Sequence, residues 1–198
     1  ASDVYKRQGF ATMSGRTREP SIAFLDHTLA IAQVSIDVVI ATDSLSIMAA
    51  GDGSDAEPPN QCEQQGDHTK VVTLQTEPSC WRRFQLGLGG VEVLKPDLYL
   101  ATASREFEDH WFIEIDRGTE STTAVLKKCQ TYLAYQRAGH EQQTRGVFPR
   151  VLWIVHNHRR LQQLQKLFNS KKATKTSKLF IVSQTDHAVT LLLGGAQP

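Results

Sequence analysis

Apolar residues recur at helical spacing along Ser21–Met48, at Ile22, Leu25, Leu29, Ala32, Ile36, Val39 and Ile40, and Pro20 with Ser21 can open a helix. One long helix is predicted there. The pattern then lapses. Gly51–Thr69 is rich in Gly, Pro, Asp, Glu and Gln with almost nothing to bury, which predicts a mobile loop inside one domain. A Val-Val-Thr-Leu run predicts a strand over Lys70–Thr76, stopped by Glu77-Pro78. Ser79–Leu86 predicts a short helix with Trp81 and Phe84 inward, and Gly87, Gly89 and Gly90 a turn. Leu94–Ala103 and Trp111–Arg117 read as two strands of a hairpin centred near Glu106–Phe107. A helix follows, capped by Ser121 or Thr119 and ending at Gly139.

Phe148–His156 is almost continuously apolar, the signature of a strand buried on both faces. Arg159–Asn169 is an amphipathic helix with Leu161, Leu164, Leu167 and Phe168 inward. Leu179–Val182 reads as a buried strand and Val189–Leu193 as an edge strand. Strand–helix–strand alternation predicts right-handed parallel crossovers. The fold expected is therefore α/β: a mixed central sheet in which an antiparallel hairpin leads into parallel strands, with flanking helices on both sides.

Three acids lie on the predicted hairpin: Asp97, Glu114 and Asp116. Strand side chains alternate, so Glu114 and Asp116 share one face and Ile113 and Ile115 the other. The assumed register sets Asp97 opposite Asp116, with Glu114 diagonal to it. Carboxylates that close need a proton or a cation, which points to a hard metal ion with oxygen ligands. The plain alternative is a set of solvated acids at strand ends, or an acidic cluster neutralised by Arg117.

Composition narrows the classes. The chain has 198 residues, 22 Lys plus Arg against 21 Asp plus Glu, and the apolar content of an ordinary globular domain. No signal peptide and no bilayer-spanning run is read from it, so no membrane partner is expected. Cys62, Cys80 and Cys129 make neither a CxxC pair nor zinc spacing, which suggests reduced thiols and a cytoplasmic location. The glycine turn lacks the Lys-Ser/Thr of a phosphate-binding loop. Charge is uneven: Ser14–Thr69 is mostly acidic and Arg150–Pro198 mostly basic. Arg159, Arg160, Lys171 and Lys172 are candidate phosphate contacts, and Arg82 and Arg83 beside aromatics could clamp phosphate or stack on bases. For each of these the alternative is a solvated helix face.

Pro96-Asp97, then Glu114-Ile115-Asp116 on a strand, then a helix, resembles the core of the PD-(D/E)xK nucleases. More narrowly, Leu94-Lys95-Pro96-Asp97, Phe112–Ser121, Lys128 with Tyr132, and Phe148-Pro149 are similar to the replication-relaxation family of plasmids and other mobile elements, which an upstream His27-Thr28-Leu29 also fits. The resemblance implies a restriction-endonuclease-like fold and a DNA-interacting protein of mobile-element replication or transfer. Its implied partners are DNA and a plasmid replication protein or relaxase. It further implies a Mg or Mn site on Asp97, Glu114 and Asp116, with Lys128 or Arg117 steadying developing charge and His27, Gln130 and Tyr132 in support. This chain carries Asp116 where a working nuclease of the broad class has lysine, so Lys128 or Gln130 must stand in, or the module binds DNA or protein without cleaving. Ala1–Gln8 reads as a translated sequencing-adaptor scar, and the family resembled leads us to expect a winged helix upstream of Gly9.

Overall fold

The computed structural model describes residues 20–50, 69–87, 89–105, 107–170 and 178–194, with side chains omitted for 45–50. The adaptor-like Ala1–Gln8, nearly all of the expected loop Gly51–Thr69, Cys62, and Lys171 with Lys172 lie outside those residues.

Helix α1 spans Ile22–Ala50, as its periodicity predicted. Strands β1 (Lys70–Thr76), β4 (Leu98–Ala103), β5 (Glu108–Asp116), β6 (Arg150–Val155) and β7 (Phe180–Gln184) form one five-stranded sheet in the order β1-β4-β5-β6-β7. β4 is antiparallel to both β1 and β5, whereas β5, β6 and β7 run parallel. The sheet is thus mixed, and the fold is α/β.

Helix α2 (Thr122–Ala138) and helix α4 (His158–Asn169) cover one face of the sheet, with Val125, Cys129, Tyr132, Leu164 and Phe168 packed on Tyr99, Phe112, Trp153 and Phe180. Helices α1 and α5 (Thr185–Leu192) cover the other, with Ile31, Val34, Val38, Ala188 and Leu192 on Leu100, Trp111, Ile113 and Ile154. Residues of β5 alternate between these two cores, which places Glu114 and Asp116 on the α2 side. The helix ends follow the sequence. Ser121 Oγ accepts from the Ala124 amide at 3.2 Å, Gly139 closes α2 at φ +76°, and Asn157 Oδ1 accepts from the Arg160 amide at 2.9 Å.

Three expectations are corrected, and one further element was not foreseen. Ser79–Leu86 is not a helix: it leads into β2 (Arg82–Gln85), which pairs antiparallel with β3 (Val91–Leu94) in a separate ribbon. Alternation of burial at Phe84 and Leu94 wins there, and Gly89 turns the ribbon at φ +84°, a conformation other residues resist. Val189–Leu193 belongs to α5 rather than an edge strand, because Ala188 and Leu192, four apart, bury one helical stripe. The short α3 (His140–Arg145) was not foreseen. Finally, Ile22–Ser44 of α1 is apolar and long enough to cross a membrane, with mean hydropathy 1.5. Polar residues interleave the apolar ones in sequence, but on the helix Ile31, Val34 and Val38 lie on the sheet while Ile22, Leu29, Ile36 and Ile40 face outward.

Candidate functional site

Asp97 sits at the bend between Pro96 and β4, and it stitches three strands together. Its amide donates to the Ile113 carbonyl at 3.1 Å, and its carbonyl accepts from Glu77 at 3.2 Å. Its Oδ2 accepts from the Ile115 amide at 2.7 Å. The observed register pairs Leu98 with Ile113, two residues from the register assumed, so its extension sets Asp97 opposite Glu114 rather than Asp116. A two-residue slip leaves every side chain on its expected face.

Glu114, in the centre of the sheet, is 1 % exposed. Its Oε1 accepts from the Tyr132 hydroxyl at 2.5 Å, and its Oε2 faces the ammonium of Lys128 with no other hydrogen-bond partner. Lys128 and Tyr132 are one helical turn apart on α2, so a single helix face delivers both groups. The Lys128 Nζ also lies 4.0 Å from Asp97 Oδ1, and His27 Nε2 from α1 meets that same oxygen at 3.3 Å. His27 and Lys128, with side chains 30 % and 25 % exposed, are the solvent-facing members of an otherwise buried group.

The electrostatics follow from burial. Desolvation pushes the Glu114 carboxyl up to about 8, opposed by Lys128. Burial works against the charge on Lys128, but Glu114 and Asp97 outweigh it and hold the ammonium above its ordinary value. The hydrogen bond to Asp97 raises His27. Tyr132 is driven well above the usual phenol range by burial and by Glu114, so it acts as a donor only.

Asp116 does not join this cluster. Its Oδ2 accepts from Arg160 Nε at 3.0 Å and Nη2 at 2.6 Å, and its Oδ1 from the Gly118 amide at 2.5 Å. Arg160 also donates to the Glu120 carbonyl at 2.8 Å, tying the β5–α2 loop to the start of α4. The expected convergence of three acids on one point is therefore corrected to a pair, Asp97 and Glu114, around Lys128. Among the described residues no three acidic, histidine or cysteine side chains form a metal-ligating group. The cation of the cluster is Lys128 and not Arg117, which pairs with Asp26 of α1 at 3.1 Å. Gln130 is exposed on another face of α2.

Two of the expected phosphate contacts are engaged elsewhere. Arg160 is buried on Asp116, and Arg82 turns inward to Glu141 Oε1 at 3.0 Å and Gln75 at 3.0 Å. Arg83 and Arg159 are exposed. The inward arginine belongs to a network that sequence reasoning missed: buried Glu141 accepts from Arg82, from Arg145 at 2.9 Å and from the Tyr135 hydroxyl at 2.8 Å. Only the Glu141–Arg145 spacing of four was legible as a signal.

A cleft of about 380 Å³ opens beside the acids, lined by Phe24, Asp26, His27, Asp116, Arg117 and Glu120. A larger hollow of about 680 Å³ lies along β7 between α4 and α5 and contains neither Asp97, Glu114 nor Lys128. The smaller cleft likewise has none of those three in its lining and meets the cluster through His27. No curated protein and no solved structure matches the chain. A replication-relaxation family model matches residues 2–151 of the 198, and the chain belongs to the replication-relaxation family.

Proposed function

We propose that this chain acts on DNA during the replication or transfer of a mobile element, through a nuclease-like site made of Asp97, Glu114 and Lys128. Family membership supports the setting. One observation carries the site reading: Lys128 reaches from α2 to both carboxylates, Glu114 and Asp97, where the lysine absent at Asp116 would be wanted. A lysine delivered from a neighbouring helix occupies the same chemical role as one delivered from the strand.

The donor chemistry fits a hard divalent ion. Asp97 Oδ1 and Glu114 Oε2 both face the position held by the Lys128 ammonium, and among the described residues Lys128 is the one partner the glutamate oxygen would give up to an ion. Mg²⁺ or Mn²⁺ needs one or two carboxylates, with waters and substrate phosphate supplying the rest. When bound, such an ion polarises a phosphate and lowers the pKa of water. The residues of the chain do the remainder. The Ile115 amide fixes the Asp97 carboxylate, Tyr132 orients Glu114, and Lys128 offers its partly exposed ammonium to the phosphate oxygen on which charge develops. Asp116 holds the loop through Arg160 and takes no part in chemistry.

A second reading has its own observation. Lys128 already bridges the two acids, so the same arrangement serves a DNA- or protein-binding module that keeps this site without cleavage. The deciding experiment incubates supercoiled and single-stranded DNA with the chain and Mn²⁺. Nicking abolished by Glu114→Ala and by Lys128→Ala supports the enzyme. Calorimetric Mn²⁺ binding that Asp97→Ala removes, without nicking, supports the module. No metal binding and no nicking rejects the site.

A further inference from the structure

The β2–β3 ribbon has two unlike faces. Its inner face is Arg82, Phe84, Glu92 and Leu94. Phe84 and Leu94 are buried, Arg82 is bonded to Glu141, and Glu92 accepts from Thr131 of α2 at 3.1 Å. The pleat turns the alternate residues outward. Arg83 pairs across the ribbon with Val93 and Gln85 with Val91, and all four are exposed. The register continues to Trp81 and Lys95, whose ammonium lies 4.5 Å from the centre of the Trp81 ring. That outer face carries an aromatic ring, two valines, an amide and two cations, and no acid. Among the described residues Arg83 makes no ion pair.

The ribbon is also fixed to the acidic site. Lys95 is joined through Pro96 to Asp97, so their Cα atoms are at most about 7 Å apart. The Cys80 thiol, next to Trp81, donates to the Pro96 carbonyl at 3.0 Å. A strand lying on this face would therefore be led towards Asp97.

We propose that the outer face of the β2–β3 ribbon binds single-stranded DNA, with a base stacked on Trp81 and backbone phosphates on Arg83 and Lys95. This rests on the DNA-directed reading above and names the form of DNA the site takes. Charge complementarity selects a polyanion, and the exposed indole selects one with free aromatic faces. A duplex keeps its base faces inside the stack and leaves the ring unused. The contact of Lys95 with Trp81 is exposed and therefore weak, so the ammonium can pass to a phosphate while the ring takes a base.

The other two tryptophans, Trp111 and Trp153, are 0 % and 1 % exposed, so quenching by a ligand at the surface reports mainly on Trp81. The test titrates a short fluorophore-labelled oligothymidylate with the full chain and reads anisotropy, with Trp81 quenching in the parent chain as a second readout. Saturable binding with quenching is expected in the parent chain, and Trp81→Ala should weaken the affinity read by anisotropy about 10-fold or more, as loss of one base–aromatic stack predicts. The slope of log affinity against log salt should flatten by about 1.4 in Arg83→Ala/Lys95→Ala, at about 0.7 per phosphate contact. Inorganic polyphosphate should bind without quenching, and duplex of equal length should bind more weakly.

Oligothymidylate affinity unchanged in both variants would overturn the proposal, and so would equal binding of a polyglutamate peptide, which would make the face a site for acidic protein. If Trp81→Ala unfolds, the double variant, at two exposed positions, decides alone. Nicking by the parent chain with unchanged oligonucleotide binding in the ribbon variants would sink the ribbon and leave the enzyme. Ribbon-dependent binding without nicking would do the reverse, and no DNA binding of any kind would overturn both.

Discussion

The Lys128 ammonium, carried on α2, lies against the Oε2 of Glu114 in the middle of the sheet. It closes a charge pair that β5 could not satisfy from within the sheet.

Removing that cation should cost stability in a pH-dependent way. Lys128 holds Glu114 down to about 8, so in Lys128→Met the carboxyl rises further and the variant falls behind the parent as pH climbs past about 8, by about 3–5 kcal/mol once the acid must ionise unpaired. Well below that pH Glu114 is neutral and the loss should be much smaller. Urea midpoints of the variant at both ends of the range test this. Glu114→Gln/Lys128→Met should recover most of the loss at the alkaline end.

The parent chain should itself lose stability as pH rises from the acid side. Glu114 ionises near 4.5 when unfolded and near about 8 when folded, so between these values the unfolded state binds fewer protons and is favoured as pH increases. The fall should total a few kcal/mol and level off beyond pH of about 8. His27, raised by Asp97, stabilises the fold below 6.5 and loses that contribution as pH climbs through its folded value, in the same direction. Denaturation across the range, repeated on Glu114→Gln, should show the slope largely removed.

Restoring lysine at the strand position should not restore a nuclease. Asp116→Lys would set an ammonium against the Arg160 guanidinium, which now lies 2.6 Å from the Asp116 carboxylate. The expected result is a loss of several kcal/mol, seen as a lower melting temperature, with no gain in Mn²⁺-dependent nicking. A stable, more active Asp116→Lys protein would contradict the role assigned to Lys128.

Tyr132→Phe should separate positioning from charge. It removes the hydroxyl that Glu114 Oε1 accepts from, for about 1–3 kcal/mol, while leaving Lys128 in place. Calorimetry should then find Mn²⁺ bound more weakly but still sensitive to Asp97→Ala. Binding equal to that of the parent would remove Tyr132 from the site.

Much of this was legible because local signals and tertiary demands agree. Ser121 and Gly139 bound α2 where their chemistry puts a cap and a stop, and Phe148–His156 announced a strand with two covered faces. The two-residue error in the hairpin register was harmless for the face of Asp97 yet decisive for its neighbour, since turn geometry alone chooses between Glu114 and Asp116. Arg160 and Arg82 were misread because a positive side chain looks the same in sequence whether water or a buried acid receives it. The Arg160 carboxylate partner is 44 residues away, beyond any local pattern. The ribbon was missed because Trp-Arg-Arg-Phe suits a helical turn as well as a short strand, and only pairing with Val91–Leu94 resolves it.

Asp97 also has a bearing on how descent is read in proteins built this way. Its side chain holds the Ile115 amide while its main chain holds Ile113 and Glu77, so the acid is a structural tie in its own right. A lineage that gave up chemistry would still be under pressure to keep an aspartate there. Glu114 makes no such tie: among the described residues its carboxyl meets only Tyr132 and Lys128. The trace of a lost activity should therefore be sought at the place of Glu114 and Lys128, while the aspartate after Pro96 testifies to ancestry alone.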